Sequence, residues 1–262
     1  MRDEPDGIIG GARFLTATST VSPGSTPLVR VRAANAGAGA STIALALADA
    51  ADLAGLRTRV LDAAAPVWSG LLGATVTELG AADGWRRGRR GAGVLLDRVE
   101  KSIQVAEEVP SPRSVHGVDL TVLDAGWSMR ELAAAPTTWV ATTPAQVEVP
   151  VTRPHGLALS QTEAAPAHLE DHLNADRVVV VVVGASRWSD RKFATAGHLL
   201  RTLHLREGVL FAPLPAAKAM PGLGPDPLPK QLTTPSQRLL ERITTITGPL
   251  TASRTCKKRR HT

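Results

Sequence analysis

A glycine-rich turn in the first fifth of the sequence holds the residues whose types and spacing best suit chemistry. It lies between an apolar, β-branched run that predicts a strand at 28–34 and an alanine- and leucine-rich run that predicts a helix at 41–54. Glycines let several backbone N–H groups face one anion, and the N-terminus of a helix adds the positive end of its dipole. We therefore expect a phosphate-binding loop made of Asn35, Gly37, Ala38, Gly39, Ala40, Ser41 and Thr42.

This turn lacks the cation of a complete phosphate loop. In a loop of the P-loop type, backbone N–H groups wrap the phosphates, a lysine neutralises them and a Ser/Thr hydroxyl reaches Mg²⁺. Ser41 and Thr42 supply hydroxyls, but Ala40 stands where the lysine belongs. The sequence therefore supports a nucleotide-binding fold more firmly than a working nucleotide site. We expect negligible ATP hydrolysis, with weak phosphate binding as the most that the backbone alone provides.

Two carboxylates come at the ends of later predicted strands. Asp62 ends the predicted strand at 57–62, and Asp124 ends the strongly apolar run at 118–124. Ligands of open parallel sheets bind outside the carboxyl ends of the strands, so both side chains are expected near the glycine-rich turn. We expect Ser41 and Asp124 to hold a metal ion, and Asp62 to belong to the cofactor site.

Strands and helical stretches alternate along most of the chain, which predicts a parallel sheet with helices on both faces. Further strands are predicted at 138–142, 177–183 and 209–212, and further helices at 68–72, 94–109, 163–173, 190–204 and 235–245. We expect a single three-layer α/β domain over 28–248. A flexible leader at 1–27 and a basic tail at 249–262 are expected on either side of it.

Two basic clusters carry more positive charge than the net +6 of the whole chain. The first is Arg86, Arg87, Arg89 and Arg90, beside Trp85, and the second is Arg254, Lys257, Lys258, Arg259 and Arg260. Clusters of this kind favour non-specific binding to DNA through counterion release, although solvated segments show the same pattern. An anionic membrane surface ranks second, because no amphipathic helix with bulky apolar anchors adjoins the tail.

The remaining sequence features bear on compartment and on metals. The single cysteine, Cys256, excludes an internal disulfide, and the N-terminus does not resemble a signal peptide, so a cytoplasmic protein is expected. His168 and His172 lie one helical turn apart but have no evident third ligand, so a solvated helix face is a better interpretation than a zinc site.

Residues 28 to about 246 resemble the ParA/MinD family of deviant Walker A P-loop ATPases. The family pattern Lys-Gly-Gly-x-Gly-Lys-Thr/Ser-Thr aligns with residues 35–42, residues 119–124 resemble the Walker B strand, and residues 140–144 resemble the next strand with its Thr-Pro turn. The resemblance implies ATP or ADP with Mg²⁺ as cofactor, a nucleotide-sandwiched homodimer, a protein partner, and a role in plasmid or chromosome partition or in cargo positioning. Both family lysines are replaced, by Asn35 and Ala40, which implies a degenerate site.

Two other interpretations stay open at this point. One is a non-hydrolysing scaffold that keeps the fold only for partner binding. The other is a Rossmann dinucleotide-binding enzyme, because Gly37 and Gly39 followed by Asp62 match part of that fingerprint, with Thr42 in place of its third glycine. Titration with ATP, ADP and NAD would separate the three.

Overall fold

The strand before the glycine-rich turn lies in the interior of a nine-stranded sheet in the computed structural model. The structure describes residues 26–164, 169–214 and 222–250. The strands are β1 (Leu28–Ala33), β2 (Thr58–Asp62), β3 (Thr77–Ala82), β4 (Trp85–Arg90), β5 (Val94–Val99), β6 (Leu120–Ser128), β7 (Val147–Thr152), β8 (Val180–Val183) and β9 (Val209–Ala212). Their order across the sheet is β3-β4-β5-β2-β6-β1-β7-β8-β9.

The sheet is mostly parallel, as the alternation of strands and helices predicts. Neighbouring strands from β5 across to β9 pair in parallel, and β3 and β4 extend the sheet in antiparallel fashion at the β5 edge. Every residue of β2 and of β7 is buried, which is typical of parallel strands covered on both faces.

Helices cover both faces of this sheet. They are α1 (Ala40–Leu53), α2 (Met129–Ala134), α3 (Trp139–Thr142), α4 (Gly156–Glu163), α5 (Glu170–Asn174), α6 (Asp190–Thr195), α7 (His198–Leu205) and α8 (Lys230–Thr247). On one face α1 packs beside α8 over a core that includes Val29, Val31 and Val122. Small residues make α1 apolar on nearly every side, so it lies buried between the sheet and its neighbours.

The opposite face carries two smaller apolar clusters. One is built around Leu61 and Leu123 under α2 and α3, and the other around Val180 and Val182 beside α7. The three-layer α/β architecture is therefore confirmed. Among the described residues, no helix has the length and apolar character needed to cross a membrane.

The predicted helix at 94–109 is wrong, because Val94–Val99 forms β5 in the sheet instead. Its apolar spacing also fits a short buried strand, and periodicity alone does not separate the two over so few residues. Cross-strand partners decide the matter, since β5 pairs with β2 on one side and with β4 on the other. The arginine cluster at 86–90 accordingly lies on a strand.

The predicted strand at 138–142 is also wrong. Those residues form the short helix α3, and the next parallel strand is β7, at 147–152. The buried guanidinium of Arg30 explains the local structure, because it donates hydrogen bonds to the carbonyls of Val140, Ala141 and Thr143 at the end of α3. A cation at a helix C-terminus satisfies carbonyls that have no partner within the helix.

The predicted helix at 68–72 is wrong, because only a short 3-10 helix at Pro66–Trp68 and a following turn occur there. The predicted helix at 163–173 overlaps the last residue of α4 and most of α5.

The remaining predicted elements agree with the structure more closely. The predicted strand at 177–183 shortens to β8, and the predicted helix at 190–204 divides into α6 and α7. The last helix begins at Lys230, five residues before the predicted start, and contains Pro235. The leader up to residue 25 and the tail from residue 251 lie outside the described residues.

Candidate functional site

The glycine-rich loop joins β1 to α1, and its glycines leave the backbone N–H groups accessible to a ligand. Gly37 and Gly39 have φ values of 70° and 101°, in the left-handed region that other residues avoid. A turn closes from the Ala38 N–H to the Asn35 carbonyl at 3.1 Å, and Ile43 N–H donates to the Gly39 carbonyl at 3.0 Å to begin the helix. No side chain caps this N-terminus, so its first N–H groups stay available for an anion.

Ala40, at the expected position of the lysine, is the first residue of α1 and is only 9% exposed. Its methyl group belongs to the core cluster under α1 and α8. An apolar methyl group therefore lies where the lysine of a complete phosphate loop would be.

A cation nevertheless reaches the loop from another strand. Arg153, directly after β7, donates hydrogen bonds from Nε and Nη2 to the Gly37 carbonyl at 3.0 and 2.8 Å. Arg153 was not among the predicted site residues, because the strand before it was predicted at 138–142 and lies at 147–152. The available signal was an arginine directly after an apolar run, at the sheet edge where ligands bind.

Asp62 and Asp124 lie opposite each other on neighbouring strands, as predicted, and both are fully buried. Asp62 Oδ1 accepts a hydrogen bond from the Ala64 N–H at 3.1 Å, and its Oδ2 accepts one from the Ser69 hydroxyl. Burial, and next the charge of Asp124, raise the pKa of Asp62 to about 7.

The carboxylate of Asp124 has different surroundings. Neither of its oxygens has a hydrogen-bond partner of normal geometry, although the Ser41 hydroxyl and the Gly126 N–H are near enough to hold its pKa down. Burial outweighs both and raises the pKa of Asp124 to about 6. A buried carboxylate without partners is costly, so the side chain is suited to a ligand that the protein alone does not supply.

Ser41 lies between Asp124 and a loop that follows β2. A Cβ atom added at Gly70 would come within 3.2 Å of the Ser41 Cβ and 3.3 Å of its hydroxyl oxygen, so a side chain there would require Ser41 or this loop to shift by a few tenths of an ångström. The hydroxyl is thus held at the start of α1, beside the carboxylate pair.

These groups fit Mg²⁺ better than a transition metal. Hydroxyl and carboxylate oxygens are hard ligands, and Mg²⁺ completes its shell with water and phosphate oxygens. Within the described residues no group of three or more His, Cys, Asp or Glu side chains could hold a metal. The structure places the predicted metal ligands Ser41 and Asp124 next to each other. His172 instead has its Nε2 3.0 Å from the Ala145 carbonyl, and His168 lies outside the described residues.

The sheet order speaks against the dinucleotide alternative. In the Rossmann order the first two strands are neighbours, whereas here β6 lies between β1 and β2. In the dinucleotide fingerprint the acidic residue matched by Asp62 binds the ribose. Here Asp62 is fully buried and its carboxylate accepts hydrogen bonds from Ser69 and Ala64, so it is not free for a ribose.

The arginine cluster is arranged differently from the exposed segment that the sequence suggests. Arg87 and Arg90 bind the carboxylates of Asp97 and Asp49. Arg86 pairs with Glu100, and the side chain of Arg86 is 48% exposed. Arg89 is exposed.

Trp85, beside the arginine cluster in the sequence, is buried against Trp139 with ring centroids 6.2 Å apart, so its ring is not free to stack on a base. The tail candidates, Lys257, Lys258, Arg259 and Arg260, lie outside the described residues.

Comparison with known proteins supports the architecture. Neither a family model nor a curated protein matches the sequence. The cell division ATPase MinD of Pyrococcus furiosus is similar in structure, with a TM-score of 0.56 at 16% identity over 84% of this chain and 99% of that one. A chain of the MinC:MinD cell division protein complex of Aquifex aeolicus gives a TM-score of 0.55 at 13% identity, over 86% of this chain and 99% of that one.

A putative plasmid partition protein of Borrelia burgdorferi, solved with AMPPNP, gives a TM-score of 0.54 at 12% identity over 84% of this chain and 99% of that one. Likeness at such low identity concerns the fold. The chain therefore has the fold of the MinD and ParA P-loop ATPases.

Proposed function

We propose that this protein is a nucleotide-binding member of the MinD/ParA type that positions cargo or takes part in DNA partition, with little or no ATP hydrolysis. The observation that carries the proposal is the fully buried Asp124 carboxylate, which has no hydrogen-bond partner of normal geometry and lies beside Ser41 and the uncapped N-terminus of α1. The cellular role is suggested by the cell division and plasmid partition proteins that share the fold.

In this proposal the backbone N–H groups of the loop bind the β-phosphate of ATP or ADP. Ser41 and Asp124 would hold Mg²⁺, which neutralises negative charge between neighbouring phosphates when it is bound. Asp62 acts through Asp124, because its own carboxylate is bound by Ser69 and Ala64. Since Ala40 gives no cation to a transferring phosphoryl group, turnover of ATP is expected to be negligible.

Isothermal titration with ATP, ADP and NAD, with and without Mg²⁺, tests this proposal. We expect Mg²⁺-dependent binding of ATP and ADP and none of NAD. Asp124→Asn should remove the Mg²⁺ dependence, because an amide is a poor ligand for that ion, and Asp171→Asn, at an exposed position on α5, should not. Absence of ATP and ADP binding at millimolar concentrations would refute nucleotide binding and leave the scaffold alternative.

A phosphate-release assay tests the expected lack of hydrolysis. The wild-type protein should release phosphate no faster than buffer. Mg²⁺-dependent turnover that disappears in Asp124→Asn would show that another group replaces the missing lysine.

Non-specific DNA is the partner that we propose from the charge distribution. Arg86 and Arg89 are the members of the first cluster with substantial exposure, so the five cations of 254–260 would supply most of the electrostatic attraction. Mobility shifts over a salt series should show weak binding that decreases steeply with salt and decreases again when the chain is truncated before Arg254. Absence of a shift at low salt would exclude DNA, and binding to anionic vesicles instead would identify a membrane surface.

Nucleotide-driven dimerisation is not expected from this loop. By resemblance, the first lysine of the family pattern reaches across the dimer, and Asn35 stands in its place. Light scattering should therefore give the same mass with and without ATP and Mg²⁺. A dimer that appears only with ATP would contradict this expectation.

A further inference from the structure

Arg153 is held against the phosphate loop by the topology of the sheet. Strands β1 and β7 are parallel neighbours, with Ala33 opposite Val151, so the residues that follow them emerge side by side. Both Nε and Nη2 of Arg153 point at one atom, the Gly37 carbonyl oxygen, at 3.0 and 2.8 Å. The guanidinium therefore lies at the loop, although it is encoded more than a hundred residues away from it.

The charge of this guanidinium is not balanced within the described part of the chain. Arg153 takes part in none of the ion pairs there, and its remaining N–H groups have no partner. Burial lowers the pKa of Arg153, but an arginine stays charged at neutral pH. A cation beside a helix N-terminus is electrostatically unfavourable, because the helix dipole is positive there. The Arg153 guanidinium and the N-terminus of α1 are therefore together suited to bind an anion.

The carboxylates lie on the other side of the loop. Asp62 and Asp124 are on β2 and β6, whereas Arg153 follows β7, and β1 with its loop runs between them. The acidic side is therefore suited to a metal ion and the basic side to a phosphate group. Because the carboxylate of Asp124 forms no ion pair with Arg153, neither group neutralises the other.

We infer that Arg153 is the cation that binds phosphate at this loop. It strengthens binding but does not replace the contact that a lysine at position 40 would make with a transferring phosphoryl group. The inference rests on the proposed function, since it names the group that would make nucleotide binding effective. The planar guanidinium binds two phosphate oxygens with parallel N–H bonds, and its contact with Gly37 places it in advance. The ligand class is a nucleoside di- or triphosphate, whose phosphates would lie between Arg153 and the N-terminus of α1.

Isothermal titration of ATP and ADP in the presence of Mg²⁺ tests the inference on the full chain. Arg153→Ala should weaken both ligands by about tenfold to a hundredfold, the range of one hydrogen bond to a charged group. Arg201→Ala is the matched control, because Arg201 is an exposed arginine on α7 whose Nε also donates to a glycine carbonyl, that of Gly197. The control should bind as the wild type does, and thermal melting should show that both variants are folded.

Charge replacement separates phosphate binding from a purely structural role. Arg153→Lys should restore part of the affinity, and Ala40→Lys introduced into Arg153→Ala should restore affinity from the other side of the loop. If neither lysine restores binding, Arg153 only holds Gly37 in place and the inference is wrong. If Arg153→Ala binds ATP as the wild type does, the inference is wrong while nucleotide binding stands. If the wild type does not bind, both are wrong.

Discussion

Asp97 and Asp124 are equally buried, at 0% exposure, but have opposite surroundings. Asp97, on β5, accepts hydrogen bonds from Arg59 Nε at 2.7 Å and from Arg87 Nε and Nη2 at 2.6 and 2.7 Å. Asp124, on β6, has a second carboxylate opposite it and no hydrogen-bond partner of normal geometry. The first carboxylate is satisfied by the fold and holds the sheet edge together. The second is destabilising unless a cation binds, which is typical of a ligand site.

The largest expected effect comes from breaking the satisfied site. Asp97→Ala leaves the buried guanidinium of Arg59 without its carboxylate, and removing one member of a buried ion pair costs about 3–5 kcal/mol. Urea denaturation should show this loss in the free energy of unfolding. The exposed Asp171→Ala on α5 serves as control and should change it by less than about 0.5 kcal/mol. If Asp97→Ala lowered the free energy of unfolding by less than about 1 kcal/mol, Asp97 would not stabilise the fold more than Asp124 does, and the contrast between these two carboxylates would be wrong.

The second prediction concerns how stability depends on pH at the unsatisfied site. The pKa values of Asp62 and Asp124 are raised to about 7 and about 6 in the folded protein, so the folded state binds protons that the unfolded chain releases near pH 4. The free energy of unfolding should therefore decrease as pH rises from about 4 to about 7, by roughly 1–3 kcal/mol.

Two variants show whether the carboxylate pair causes this pH dependence. Asp124→Asn should reduce it, because the variant removes one buried titrating group and part of the cause that raises the pKa of Asp62, whose burial remains. Asp171→Asn should keep the slope of the wild type. A slope in Asp124→Asn equal to that of the wild type would assign the dependence to other groups.

The architecture was predictable because it depends on patterns that extend over many residues. Two apolar strands end at Asp62 and Asp124, and a glycine-rich turn precedes α1. From these patterns alone, the two carboxylates and Ser41 could be placed at the same edge of the sheet. The short apolar run at 94–99 was misassigned because its neighbours in the sheet, and not its own spacing, make it a strand.

The basic parts of the site could not be predicted from local sequence. The four arginines of the first cluster are close together in the sequence, but successive side chains of β4 point to opposite faces of the sheet. Acidic partners from distant parts of the chain then give them different environments. Arg153 shows the converse, since an isolated arginine becomes part of the phosphate loop only through the pairing of β1 with β7. Long-range strand pairing decides both cases.

The third prediction concerns a variant that introduces a cation at the phosphate loop, near the unpaired carboxylate of Asp124. Ala40→Lys introduces an ammonium group at the first position of α1, beside the phosphate loop. We expect ATP to bind about tenfold more tightly, since a charge-assisted contact contributes about 1.5–3 kcal/mol, part of which desolvation offsets. Titration calorimetry measures this, with Ala54→Lys at the C-terminal end of α1 as control. Unchanged affinity would mean that the loop does not bind phosphate.

The smallest expected effect is at the exposed pair of Arg86 and Glu100, which shares its strands with the Asp97 cluster. Their charged atoms lie 3.0 Å apart, but the two side chains are 48% and 31% exposed, so water and salt screen the attraction. A double-mutant cycle with Arg86→Ala and Glu100→Ala should give a coupling energy of about 0.2–1 kcal/mol, which decreases as salt is added. A coupling energy near that of a buried pair would mean that the degree of burial does not distinguish strong ion pairs from weak ones in this protein.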